Sequence, residues 1–149
     1  MYRDRLLIAS AALAVAVWTV SVGAQRIVTG FPTSAPNLLI AQVVEIKDSA
    51  DAVVLRGTWA TSREKPEHVD RVATFAASGT AAAGRASIEI LRPGNVITKN
   101  EIEVHLNQLP AQASFTLNVD GARLLTFTTN REGGANLKLT SRLPPTQAP

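Results

Sequence analysis

The 149-residue chain is predicted to be all-β, a single antiparallel β-sandwich over residues 38–141. Three observations predict it. Apolar and polar residues alternate with period two through Glu101-Ile102-Glu103-Val104-His105-Leu106, then through residues 114–119, 124–129 and 135–139. One side of each run would be buried and the other wet. Asp120-Gly121 and Gly133-Gly134 punctuate these runs with the positive φ angles of tight hairpins, which makes four consecutive strands. Finally, Thr74-Phe75, a glycine loop and Ala86-Ser87-Ile88-Glu89-Ile90 are echoed by Thr126-Phe127, a glycine loop and Ala135-Asn136-Leu137-Lys138-Leu139. Two related hairpin units packed face to face would form a sandwich, immunoglobulin-like in broad architecture.

Residues 1–24 read as a signal peptide rather than as fold. Arg3 and Arg5 form a basic start, residues 6–22 are apolar apart from Ser10, Thr19 and Ser21, and Val22-Gly23-Ala24 suits cleavage before Gln25. The other reading is a membrane-tethered scaffold in which residues 6–22 stay uncleaved. No cysteine follows the run, so a lipid-modified cysteine is chemically excluded. Both readings place the rest of the chain outside the cytoplasm, in the periplasm or secreted.

Residues 25–37, with Gly30, Pro32 and Pro36, read as an extended leader or linker carrying an edge strand over residues 26–29. Residues 38–46 and 52–59 read as a hairpin, central in the sheet, around a turn at Lys47-Asp48-Ser49-Ala50-Asp51. Residues 61–71 are the most charged stretch. They are read as a solvated loop leading into a strand, with a helix starting at Pro66 as the alternative. Arg92-Pro93-Gly94-Asn95 is a turn, and residues 142–149, with three prolines, read as a disordered tail.

Aromatic residues are scarce, at 5%, so the core must be built mainly from aliphatic side chains. The predicted core is Val44, Ile46, Leu55, Trp59, Phe75, Ile88, Ile90, Ile102, Val104, Leu106, Phe115, Leu117, Val119, Phe127, Leu137 and Leu139. The absence of cysteine excludes a disulfide framework and a thiolate metal site. Without Arg3, Arg5 and Asp4 the chain keeps 13 basic and 11 acidic residues, interspersed, with no basic run to track a nucleic acid.

Leu109-Pro110 followed by Phe115-Thr116-Leu117-x-Val119-Asp120-Gly121 resembles a hairpin of bacterial exported β-sandwich proteins of unassigned role, over residues 85–141. The resemblance implies a secreted sandwich module. It carries no functional residues, because its pattern is made of core and turn positions.

The cluster that most suggests chemistry is Glu101, Glu103 and His105, on one face of one strand. Two carboxylates and an imidazole suit a divalent metal or acid–base work, so a small metal-dependent enzyme is one reading. Neighbours on a flat strand point parallel instead of converging, however. The three are therefore expected to be exposed on a solvated face that also carries Glu89 and Lys138. His68 is expected to be exposed in the charged loop without a ligand-spaced companion.

Ser62-Arg63-Glu64-Lys65 has the Ser-x-x-Lys spacing of penicillin-recognising enzymes, but the other motifs of that chemistry are missing. Leu143-Pro144-Pro145-Thr146-Gln147 lacks the glycine of the cell-wall sorting signal it resembles. No Gly-x-Ser-x-Gly or phosphate loop occurs. The expectation is an exported, non-catalytic binding module, with no catalytic, cofactor or metal residue assigned. Its partner would be an envelope or extracellular protein or glycan, not a nucleic acid.

Overall fold

A computed structural model describes residues 26–77 and 79–142. These form β1 (Arg26–Thr29), β2 (Val43–Lys47), β3 (Val53–Thr58), β4 (Ala60–Lys65), β5 (His68–Ala77), β6 (Ala83–Leu91), β7 (Lys99–Asn107), β8 (Ser114–Val119), β9 (Ala122–Thr128) and β10 (Ala135–Thr140). A 3-10 turn at Pro93–Asn95 joins β6 to β7. The expectations about residues 1–24, including an anchor at 6–22, and about the tail beyond Arg142 lie outside the described residues.

The strand order is β1-β10-β7-β6-β5-β3-β2-β8-β9, with β4 also paired to β5. All pairs are antiparallel except β1 with β10, which is parallel. The all-β class holds. The arrangement is one strongly curled mixed sheet forming a half-barrel, not a two-sheet antiparallel sandwich.

The physical reason lies in β5. Its last residues pair with β3, Leu55 opposite Ala77 and Arg56 opposite Ala76, while its first half pairs with β4 from Val72 back to His68. One ten-residue strand therefore hydrogen-bonds both blocks of chain into a single sheet, and curling encloses the apolar side. The chain bends between β3 and β4 at Trp59, whose backbone N–H donates to Gln42 O at 2.9 Å while its ring is buried. Gly57 permits the close approach there, since a Cβ would lie 3.1 Å from Thr74 O. Every core residue expected from alternation is buried, and Leu38, Ala41, Leu109 and Leu124 join them.

The apparent repeat does not describe two equivalent hairpins. β5 and β6 pair, but β9 and β10 lie toward opposite ends of the strand order. Gly133-Gly134 thus belongs to a crossing connection rather than a hairpin turn. That connection is laced to the β7–β8 loop: Leu109 N–H donates to Gly133 O at 3.1 Å and Thr129 Oγ1 to Pro110 O at 2.6 Å. Of the four strands β7 to β10, consecutive in the chain, only β8 and β9 pair with each other in sequence order, and β10 pairs with β7. Asp120-Gly121 is a hairpin turn as expected, with φ of 48° and 82° joining β8 to β9. The Asp120 carboxylate also accepts from Val43 N–H at 2.8 Å, which fixes the start of β2.

Two further segments differ from expectation. Residues 61–71 are neither a solvated loop nor a helix; Pro66 and Glu67 turn between strands β4 and β5. Arg71 hid the strand because it occupies an inward position of the alternation. It is 7% exposed and donates from Nη1 to Leu38 O at 3.0 Å and Leu39 O at 3.3 Å, holding the connection before β2 over the core. The expected edge strand at Arg26–Thr29 is present as β1, and its parallel pairing makes the sheet mixed.

Candidate functional site

The outward side of the sheet is set by alternation. On β5 the inward residues are Val69, Arg71, Ala73 and Phe75, so His68, Asp70, Val72 and Thr74 face out. Register places Glu89 opposite Asp70, Glu101 opposite Glu89, and Lys138 opposite Glu103. Acidic side chains that alternation would leave as mutually repelling neighbours are thereby interleaved with lysines from adjacent positions.

The result is a chain of ion pairs across the face. Arg63 Nε lies 3.6 Å from Asp70, and His68 Nε2 lies 2.8 Å from Asp70 Oδ1 and 3.5 Å from Glu89 Oε1. Glu89 Oε2 is bonded by Lys99, whose ammonium is also 3.4 Å from Glu101. Lys138 then bridges Glu101 at 2.7 Å and Glu103 at 3.1 Å, and Arg26 closes on Glu103 at 2.8 Å. The pairs run from β4 to β1.

Glu101 is not exposed as expected: it is 8% accessible. Burial pushes its carboxyl up, but hydrogen bonds and charge from Lys138 and Lys99 together outweigh this and hold it below its ordinary range. Lys99 is held above its ordinary range chiefly by its hydrogen bond to Glu89, and Lys138 chiefly by Glu101. Glu103 is half-buried between Lys138 and Arg26. His105 is exposed, and its Nδ1 pairs with Asn136 Oδ1 at 2.8 Å. Glu101 and Glu103 thus share Lys138 while His105 turns to Asn136, and the three do not converge on one point.

The cluster that does converge was missed. Among the described residues, His68, Asp70 and Glu89 form the one group of three whose candidate ligand atoms all lie within 4.8 Å of one another. His68 is half-buried, and its companions are two residues along its own strand and on the neighbouring strand. The available signal was the outward alternation His68, Asp70, Val72, Thr74; the inward arginine masked it. Glu89 joins only through the β5–β6 register.

Three shallow depressions adjoin on this face, of about 330, 360 and 670 Å³. All three are lined by Val72, which is 46% exposed at the centre of the charged surroundings. The first also contains Asp70, Glu89 and Glu101, and the second Arg85, Glu103 and His105. The third opens where β3 leaves β5 and β4 takes over. Ser62, on β4, donates its hydroxyl to Asp70 O at 3.2 Å.

No family model, curated protein or solved structure matches this chain, so its own residues carry the functional argument.

Proposed function

We propose that this chain is an exported, non-catalytic β module that works by surface contact with an envelope or extracellular protein or glycan. The observation that carries the reading is the position of Val72. An apolar side chain stands exposed where three shallow depressions meet, amid charges most of which are ion-paired. A partner seated there would bury apolar surface at the centre against a polar, ion-paired rim, the usual anatomy of a recognition patch. Against catalysis stand the carboxylates of the face, held by lysine or arginine, and His105, held by Asn136.

The test is capture of partners from the envelope extract by the purified chain, run beside a Val72→Glu variant. Val72 points to solvent, so the variant should fold as the parent does. Loss of the captured species in the variant supports the reading; identical capture by both moves the contact off this face. Export is checked by N-terminal sequencing of protein from the envelope or medium. A start at Gln25 is expected, whereas a start at Met1 would favour the tethered scaffold.

A further inference from the structure

We propose that His68, Asp70 and Glu89 form a binding site for a divalent first-row transition ion, with Zn²⁺ its simplest occupant. The inference does not rest on the contact surface, although Asp70 and Glu89 also line one of its depressions; it concerns how β5 and β6 are joined at one end of the face.

The geometry comes first. His68 Nε2 lies 2.8 Å from Asp70 Oδ1 and 3.5 Å from Glu89 Oε1, and the candidate ligand atoms are all within 4.8 Å of one another. Around a tetrahedral ion with bonds of about 2.0–2.1 Å, ligand atoms stand about 3.3 Å apart. The His68–Asp70 pair needs to open by roughly half an ångström, within the reach of side-chain torsions. The ion would take the place of the hydrogen bond between Nε2 and Asp70, so that Nε2 binds as a bare lone pair and the neutral ring keeps its proton on Nδ1.

The outer oxygens make this more than two acids beside a histidine. Glu89 gives Oε2 to Lys99 and keeps Oε1 toward His68. Asp70 has Oδ2 beside Arg63 and Oδ1 toward His68. Each carboxylate is therefore held from outside by a cation while its other oxygen faces the imidazole. Ligating carboxylates are oriented in this way in metal sites, where outer partners fix the inner atoms. The donor set of one nitrogen and two oxygens suits Zn²⁺ better than Ca²⁺ or Mg²⁺, which prefer an all-oxygen shell. All three side chains are half-buried, leaving room for water to complete the coordination.

The experiment titrates ZnCl₂ into the chelator-stripped full chain by calorimetry, with thermal melts alongside. One Zn²⁺ per chain is expected, with a rise in Tm, because the ion ties β5 to β6. His68→Gln and Glu89→Gln should each weaken binding by at least about ten-fold and lose the Zn²⁺-dependent rise in Tm. Their metal-free melts should stay cooperative. A Glu103→Ala/His105→Ala variant should bind as the parent does. Co²⁺ should give a visible ligand-field spectrum in the parent and not in His68→Gln. A parent that takes up no stoichiometric Zn²⁺, or a His68→Gln chain that binds like the parent, overturns the proposal and leaves His68 as a hydrogen-bonding partner of Asp70 beside Glu89.

Discussion

Lys138 on β10 holds Glu101 on β7 at 2.7 Å, and Glu101 is the most buried carboxylate of the charged face. Burial works against its charge and the lysines work for it, and the lysines win. Because the folded carboxyl lies below its unfolded value, its contribution is present above the ordinary carboxylate range and fades as pH falls through the lowered value. Lys99 and Lys138 are raised, so theirs is present below the ordinary lysine range and fades as pH rises through the raised values.

Lys138→Met should therefore destabilise the domain by about 1–3 kcal/mol at neutral pH, the cost of a buried charge losing its main partner. It should also shrink the stability lost between about pH 7 and about pH 4, because burial at Glu101 is then opposed by Lys99 alone. Urea melts of parent and variant at the two pH values check this. Equal acid sensitivity would show that Lys138 does not set the ionisation of Glu101.

Glu103→Ala/His105→Ala should melt within about 1 kcal/mol of the parent. Glu103 is bridged by Arg26 and Lys138 at a solvent-reached position, and His105 is exposed on Asn136. A large loss of stability would mean that this end of the face carries weight that screened ion pairs do not.

Phe115→Ala should cost about 3–5 kcal/mol, measured by denaturant unfolding. Phe115 is buried, pairs in register with Phe127, and stacks tilted against it with ring centroids 6.0 Å apart. A parent-like midpoint would mean that the inward face of β8 is wrongly assigned.

Gly133→Ala tests the lacing of the two crossing loops. The residue has φ of +76°, and a Cβ would fall 1.9 Å from Leu109 O. The backbone conformation alone costs about 1–3 kcal/mol, and the clash must also displace the β7–β8 connection. Fast amide exchange at Leu109 in the variant, whose N–H bonds Gly133 O in the parent, is the expected readout. Parent-like protection there would show that the loops are not interdependent.

Local patterning was enough to determine that this chain is all-β, that the apolar positions expected from alternation are buried, and where the β2–β3 and β8–β9 turns fall. Period-two alternation and Asp120-Gly121 act through neighbours a few residues apart, and neither depends on which strand lies alongside. Pairing is a different matter. β9 and β10 read as a hairpin because a glycine turn separates two alternating runs, yet their partners are β8 and β7. Only the shared use of β5 by β3 and β4, and the close contact of Gly133 with Leu109, decided for one curled sheet over two stacked ones. The candidate site followed the same division. Glu101, Glu103 and His105 lie close in sequence, yet the carboxylates are held by lysines and an arginine and the imidazole by Asn136, so they do not converge. His68 and Glu89 lie far apart in sequence, and the β5–β6 register brings them together. Side-chain direction is a local property of a strand, but convergence on one point depends on which strand is next to it.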